Sequence, residues 1–431
     1  MTYDEALAYL HSLQRFGIKP GLERTCELLR RLGHPEREIQ RVIHITGTAG
    51  KGSVSAMVEA GLRAAGCRVG LYTSPPLERF TERIQVDRRE IPEEQAASLI
   101  EMARQHVADM VAEGLEQPTE FEVITAAAFR YFAEQQVDWL VLEVGLGGRY
   151  DATNVVANPA ATCITNIGLD HTQWLGKTHE AIAWDKAGII KQGVPCVTAT
   201  DHAGALQVIR DVAQAQSAPL IEVTPADWQV VSWGLDGQVV DLRGARGWYR
   251  GMRLPLLGDH QAANAAVALR VLEQAGVDEG AIRQGLAELV WPGRMELMKS
   301  PAGVPVLLDA AHNPAKCSAL AEAVQRYFPD RRVLLVLGVL ADKDAAAMVR
   351  PLLDLAAAVW VATPESPRAL PAADLQVLCR GMGREAAAAP SVAGALQAAL
   401  RAASPEDLVL VTGSFYTVGP ARRYMHPTGQ E

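Results

Sequence analysis

The chain has 431 residues, of which 49% are hydrophobic and 21% charged. That balance describes a folded chain with ample core, and 36 Gly and 24 Pro exclude collagen-like and low-complexity readings. A net charge of −9 argues against nucleic acid as a partner, because sequence-independent phosphate contacts need a basic excess.

The elements, in chain order, alternate in type. Arg41–Gly47 (RVIHITG) reads as a buried strand, Lys51–Ala65 as a helix stopped by Gly66, and Arg68–Ser74 as the next strand. A glycine-rich first turn inside such a βαβ unit is the grammar of a parallel sheet covered on both faces. Trp139–Val144, Ala161–Asn166 and Pro195–Thr198 are further strand candidates, and Thr178–Ile190 is helical. Between Ile221 and Leu256 the period changes to two and breaks at glycines, which predicts a small antiparallel insertion of hairpins. A helix over Gln261–Gln274 follows. Past the turn-forming Trp291–Arg294 (WPGR), a second α/β cycle uses Val304–Asp309, Arg332–Gly338, Ala358–Ala362 and Leu408–Thr412. The expected architecture is α/β in two domains. Residues 1–297 form a P-loop-type, mostly parallel sheet with the insertion, and residues 298–431 a Rossmann-like domain.

Six widely spaced cysteines without a CxxC pair form neither a zinc framework nor a disulfide scaffold, so reduced thiols and a cytoplasmic setting are expected. The opening MTYDEALAYLHSLQRF carries early acids and no apolar core, unlike a signal peptide. No run of about 18 apolar residues occurs, so no membrane span is expected.

Chemistry concentrates at strand ends. Gly47-Thr-Ala-Gly-Lys-Gly-Ser53 joins a strand to a helix, where glycine permits close backbone approach and a helix N-terminus favours phosphate. Thr48, Ala49, Gly50, Lys51, Gly52 and Ser53 are the candidate nucleotide-phosphate residues, Lys51 for the β/γ-phosphates and Ser53 for Mg²⁺. The loop departs from the ordinary P-loop: Ile45 stands at the first glycine position, and Gly52 separates Lys51 from the hydroxyl. Glu143 ends a strand and is followed by Gly-Leu-Gly-Gly-Arg, placing a carboxylate in the crevice where such sheets bind ligands. A strand-end acid is by itself as often a solvated terminus as a ligand. Ser74, Glu143 and His171 leave the same sheet edge, and oxygens with one imidazole suit Mg²⁺ or Mn²⁺ better than zinc. A lone histidine in such a turn is otherwise more often structural. Asn264, Arg294, Asp309 and His312 each have a bland reading as helix-face amide, surface cation or cap.

Taken together, ITGTAGKGS, TSP at Thr73–Pro75, EVGLGGRYDATN at Glu143–Asn154, GLDHTQWLG at Gly168–Gly176, KAGIIK, LGDHQAANAAVAL, WPGRME and DAAHNPA resemble the folylpolyglutamate synthase/dihydrofolate synthase family of ATP-dependent Mur-type amide ligases. The resemblance runs from Ile18 to Gly419, with Ala49 standing where the family usually has asparagine. It implies ATP between the two domains, with Asn264, Arg294 and Asp309 at the adenine, phosphate and ribose regions and His312 beside them. It also implies Mg²⁺, as two ions, held by Ser53, Ser74, Glu143 and His171. Lys186 matches a lysine carried as a carbamate, and Lys51, His171 and Lys186 are the implied catalytic residues. Gly21, Leu22, Arg24, Phe121, Glu122, Tyr150, Asp151 and Ala152 match the stretches flanking the pterin substrate. The implied reaction adds L-glutamate to dihydropteroate or to a reduced folate through an acyl phosphate; a monomer is the expected assembly. The alternatives are another Mur-type amino-acid ligase and a nucleotide-binding switch without ligase chemistry. Only 46 residues precede Gly47, fewer than the UDP-binding domain expected of a muropeptide ligase.

Overall fold

The computed structural model describes residues 1–14, 17 and 19–426. Ile18, where the family resemblance begins, lies outside them. Eight strands form the first sheet: β1 (Val42–Thr46), β2 (Val69–Tyr72), β3 (Ile84–Val86), β4 (Arg89–Glu90), β5 (Trp139–Glu143), β6 (Ala161–Ile164), β7 (Cys196–Thr198) and β8 (Leu220–Glu222). Their order is β4-β3-β2-β5-β1-β6-β7-β8, parallel from β2 to β8, with β3 and β4 antiparallel at one edge. Every residue of β1, β2, β5 and β6 is buried, because helices cover both faces. One face packs Ile43, Ile45 and Val141 against the Lys51–Ala64, Asp259–Gln274 and Glu279–Ala287 helices. The other packs Val42, Leu140 and Leu142 against the Tyr3–Leu13, Glu93–Ala112 and Glu120–Glu134 helices.

Most of the period-two stretch forms the antiparallel sheet that its alternation predicts, β9 (Trp228–Gly234), β10 (Gly237–Gly244) and β11 (Gly247–Leu254), but Ile221 at its start belongs instead to β8, which pairs parallel with β7. Its inward Val240, Leu242, Met252 and Leu254 join the core beneath the Asp259–Gln274 helix. The last sheet contains β12 (Glu296–Lys299), β13 (Pro305–Asp309), β14 (Val333–Leu337), β15 (Ala356–Val361), β16 (Ala387–Ala388) and β17 (Leu408–Thr412). Its order is β12-β13-β17-β14-β15-β16, parallel apart from β12.

Two contacts fasten the last sheet to the rest. Arg422, on the Phe415–Met425 helix and held at 2.9 Å by Glu296 of the same sheet, pairs with Glu78 of the first half at 2.5 Å. On the other side Tyr327 receives the Gly258 N–H on its hydroxyl at 3.1 Å and meets the Trp233 ring edge-on at 5.0 Å. The parallel strands of both sheets therefore end toward one cleft.

Candidate active site in the cleft

The phosphate loop is shaped by glycine and pinned from below. Gly47 has φ +148°, and a Cβ there would lie 1.8 Å from Thr165 Oγ1; at Gly50, φ +81°, it would lie 2.4 Å from Asn264 Oδ1. Neither position tolerates a side chain. Thr165 Oγ1 donates to the Ala49 carbonyl at 2.5 Å, while the Ala49 N–H donates to Asn166 Oδ1 at 2.8 Å and Thr48 Oγ1 to the Gly168 carbonyl at 3.1 Å. The loop is thus tied to the end of β6. Lys51 opens the following helix and curls back to the Gly47 carbonyl at 3.0 Å, and Ser53, two residues on, is buried.

One cleft is lined by this loop, by Ser74, Glu143, Asp170, His171 and Lys186 from the first sheet's edge, and by Arg294, His312, Lys316 and Phe415 from the C-terminal half. Glu143 is buried, accepts the Ser74 N–H at 3.0 Å, and has its pKa raised by burial against the pull of Lys51. His171, exposed and in the left-handed region (φ 52°), begins the short Thr172–Leu175 helix. Lys186 is the last residue of the His179–Lys186 helix, shorter than Thr178–Ile190 because residues 187–189 tighten to 3₁₀. Burial, then the Lys51 charge, pulls the Lys186 ammonium down to about 7. Across the cleft Arg294 lies over the Phe415 ring at 4.8 Å. Asp309 is held by the N–H groups of Met295 and Ala311, each at 2.9 Å, while Asn264 bonds Gln261 at 3.1 Å beneath the loop.

The residues matched to the pterin flank form a neighbouring cluster. Buried Arg24 pairs with buried Glu122 at 2.9 Å and with Glu116 at 2.8 Å. Gly21 (φ +135°) and Leu22 lead into the Glu23–Arg31 helix that presents Arg24. Phe121 lies against Gly145, whose Cβ would come 2.5 Å from its ring. Asp151 and Ala152 are buried, and Tyr150 is exposed. Asp151 accepts the Leu146 N–H at 2.9 Å and the Thr153 hydroxyl at 2.5 Å; Thr153 in turn meets His44 Nε2 at 2.8 Å.

Sequence reasoning passed over two charged cleft residues, Asp170 and Lys316. Asp170 takes Lys343 at 3.1 Å and Asn313 at 3.1 Å, joining the two walls. Lys316 approaches His312 Nε2 at 3.0 Å. His312 lies just ahead of the Asn313 cap of the Pro314–Tyr327 helix, so helical spacing does not describe its pairing with Lys316, and the sequence carried no signal for it. Asp170 was adjacent to His171 but gave no signal of its partners, which lie far away in sequence.

Comparison with known proteins matches the Mur ligase middle domain to residues 45–272 and the Mur ligase glutamate ligase domain to residues 293–415. The chain is 38% identical to the dihydrofolate synthase/folylpolyglutamate synthase of Bacillus subtilis, over 98% of this chain and 99% of that one. Among solved structures, folylpolyglutamate synthase of Mycobacterium tuberculosis complexed with ADP superposes with a TM-score of 0.89 at 34% identity, covering 99% of this chain and 100% of that one. Escherichia coli FolC in complex with DHPP and ADP superposes with a TM-score of 0.86 at 35% identity, covering 98% and 97%.

Proposed function

The chain belongs to the Mur ligase family, in its dihydrofolate synthase/folylpolyglutamate synthase branch, and on that premise we propose that it joins L-glutamate to dihydropteroate, to reduced folates, or to both, forming ADP and phosphate. The observation that carries this reading is the cleft itself. A phosphate loop forms one wall, and Lys51, Arg294 and Lys316 converge there with no ion-pair partner for any of them among the described residues. Uncompensated cations around a phosphate loop fit a polyanion. A carboxylate is too poor an electrophile for an amine. Attack of the acceptor carboxylate on the γ-phosphorus expels ADP and yields an acyl phosphate; the glutamate amine then attacks the acyl carbon and phosphate leaves. Both steps build negative charge that Lys51 and Arg294 are placed to stabilise away from water.

Glu143 fits a metal role: it is buried, one oxygen takes the Ser74 N–H, and no cation among the described residues forms an ion pair with it. Ser53, Ser74, Glu143 and His171 would hold Mg²⁺, whose chemistry is to neutralise phosphate charge. A buried amine with a pKa near 7 is substantially unprotonated at neutral pH, the form that adds CO₂ and releases a proton, which supports a carbamate on Lys186. Asn264 and Asp309 would hold the nucleoside end, His312 would line the ATP site, and the cluster of Gly21, Leu22, Arg24, Phe121, Glu122, Tyr150, Asp151 and Ala152 would hold the pterin. This reading keeps two domains dividing near residue 297, a monomer, since one chain supplies both cleft walls, and a cytoplasmic setting. No helix among the described residues is long and apolar enough to cross a membrane.

The test is ADP release with glutamate and each acceptor in parallel. Glutamate-dependent turnover on dihydropteroate or a reduced folate is expected; nucleotide binding with no turnover on either would favour the switch reading.

A further inference from the structure

Lys316 lines the cleft as one of its converging cations, and the reading above gives it no step in the reaction. It stands on the first turn of the Pro314–Tyr327 helix, whose cap Asn313 accepts the Lys316 backbone N–H at 3.0 Å. Its side chain is partly buried and reaches His312 Nε2 at 3.0 Å. The other ring nitrogen, Nδ1, lies 2.7 Å from the Ala310 carbonyl, an atom that can only accept. Nδ1 therefore carries the imidazole proton, and Nε2 offers a lone pair to the ammonium. That arrangement fixes one N–H of Lys316 and leaves two more on the same nitrogen at the cleft wall. A lysine is flexible on its own, so the histidine supplies the direction.

The charges that act on Lys316 say what it faces. After burial, the largest influences are Lys51 and Arg294, both of which push its pKa down, to about 7; Asp170 opposes them, but its oxygens are occupied by Lys343 and Asn313. The Lys316 charge is also felt by Glu143. Among these cations the free side chain is part amine, and an anion arriving between them restores and holds its ammonium form. The phosphate loop and Lys51 grip a nucleotide from the N-terminal wall. The portion of ATP that must be met from both walls is the terminal phosphoryl group, which leaves the loop for the acceptor carboxylate.

We propose that Lys316, aimed by neutral His312, is a phosphoryl-binding residue that contacts the γ-phosphate of ATP from the C-terminal wall and follows it to the acyl phosphate. The proposal rests on the ligase reading above. Transfer itself breaks the bond from the γ-phosphorus to the ADP oxygen and forms one to the carboxylate oxygen; Lys316 keeps its protons throughout and donates hydrogen bonds.

The experiment compares wild type, Lys316→Met and Lys316→Arg, all checked for an unchanged thermal unfolding midpoint. Binding of ATP and ADP is measured without acceptor, and turnover is measured with glutamate varied. Lys316→Met is expected to lower kcat by roughly tenfold to a hundredfold, the range of lost transition-state contacts. It should also weaken ATP by about tenfold while sparing ADP, leave the KM for glutamate within about twofold, and be partly rescued in Lys316→Arg. Unchanged kcat and an unchanged ATP-to-ADP affinity ratio in Lys316→Met, with wild type active, would overturn the proposal. So would an effect confined to the KM for glutamate, which would assign Lys316 to the amino-acid carboxylate. A wild type without glutamate-dependent turnover refutes the ligase reading instead, and the affinity ratio still decides whether Lys316 meets the γ-phosphate.

Discussion

Replacing Lys51 with alanine removes the ammonium that rises from the phosphate loop itself and returns to its Gly47 carbonyl. Turnover should fall by a hundredfold or more, since contacts made to a transferring phosphoryl group are worth about 3 kcal/mol or above. ADP formation within about tenfold of wild type would remove Lys51 from the reaction. Glu143→Gln and His171→Ala should each raise the Mg²⁺ concentration needed for half-maximal rate, and an unchanged titration would return that residue to a structural role. Lys186 makes a pH prediction. Its pKa is lowered to about 7 by burial and then by Lys51, so the amine is mostly neutral above that pH and mostly protonated below it. Enzyme stripped of CO₂ should recover activity with bicarbonate at pH 8 and far less at pH 6. Lys186→Ala should lose turnover while still binding nucleotide, with partial rescue by acetate or formate. Indifference to CO₂ at both pH values would show that the lysine works unmodified. Lys51, Glu143 and His171 were legible because each follows a strand whose hydrophobic run is plain. The carbamate proposed for Lys186 comes from family resemblance alone, for no spacing encodes a modification. Asp170 and Lys316 were not singled out, because their meaning depends on partners brought in by the other wall.

At the scale of elements, the helix over Lys51–Ala64 carries the loop and is clamped by two others. A Cβ on Gly285 would come 2.6 Å from the backbone of Ala60, and one on Gly61 2.5 Å from Leu272. Backbone cannot step aside as a side-chain tip can. Gly285→Ala should therefore destabilise by about 1–3 kcal/mol as overpacking does, read as a lower denaturant midpoint; an unchanged or raised midpoint would show that the helices can separate freely. The buried parallel strands were readable to within a few residues, since continuous apolar runs between glycine turns have few other uses. The edge strands escaped. Residues 84–86, 89–90, 296–299 and 387–388 pair at sheet margins, where short length and mixed polarity leave little pattern. Strand order was also beyond the sequence, because β5 inserts between β2 and β1 through long-range pairing.

Across the whole molecule, the cleft exists because Arg422 bridges Glu78 and Glu296 on one side while Tyr327 meets Gly258 and Trp233 on the other. Asp170 spans the middle to Lys343 and Asn313. These contacts place the loop opposite Arg294, His312 and Lys316, so that a reactive intermediate would form between two protein walls rather than on an open face. Carboxylate activation by phosphoryl transfer is the central claim, and it leaves an isotopic record. Acceptor labelled with ¹⁸O in its reacting carboxylate is incubated with enzyme, ATP and glutamate, and the released phosphate is analysed by mass spectrometry. An acyl phosphate requires one carboxylate oxygen to leave with phosphorus, so one ¹⁸O should appear in each phosphate formed. Amide product accompanied by phosphate free of the label would contradict the account.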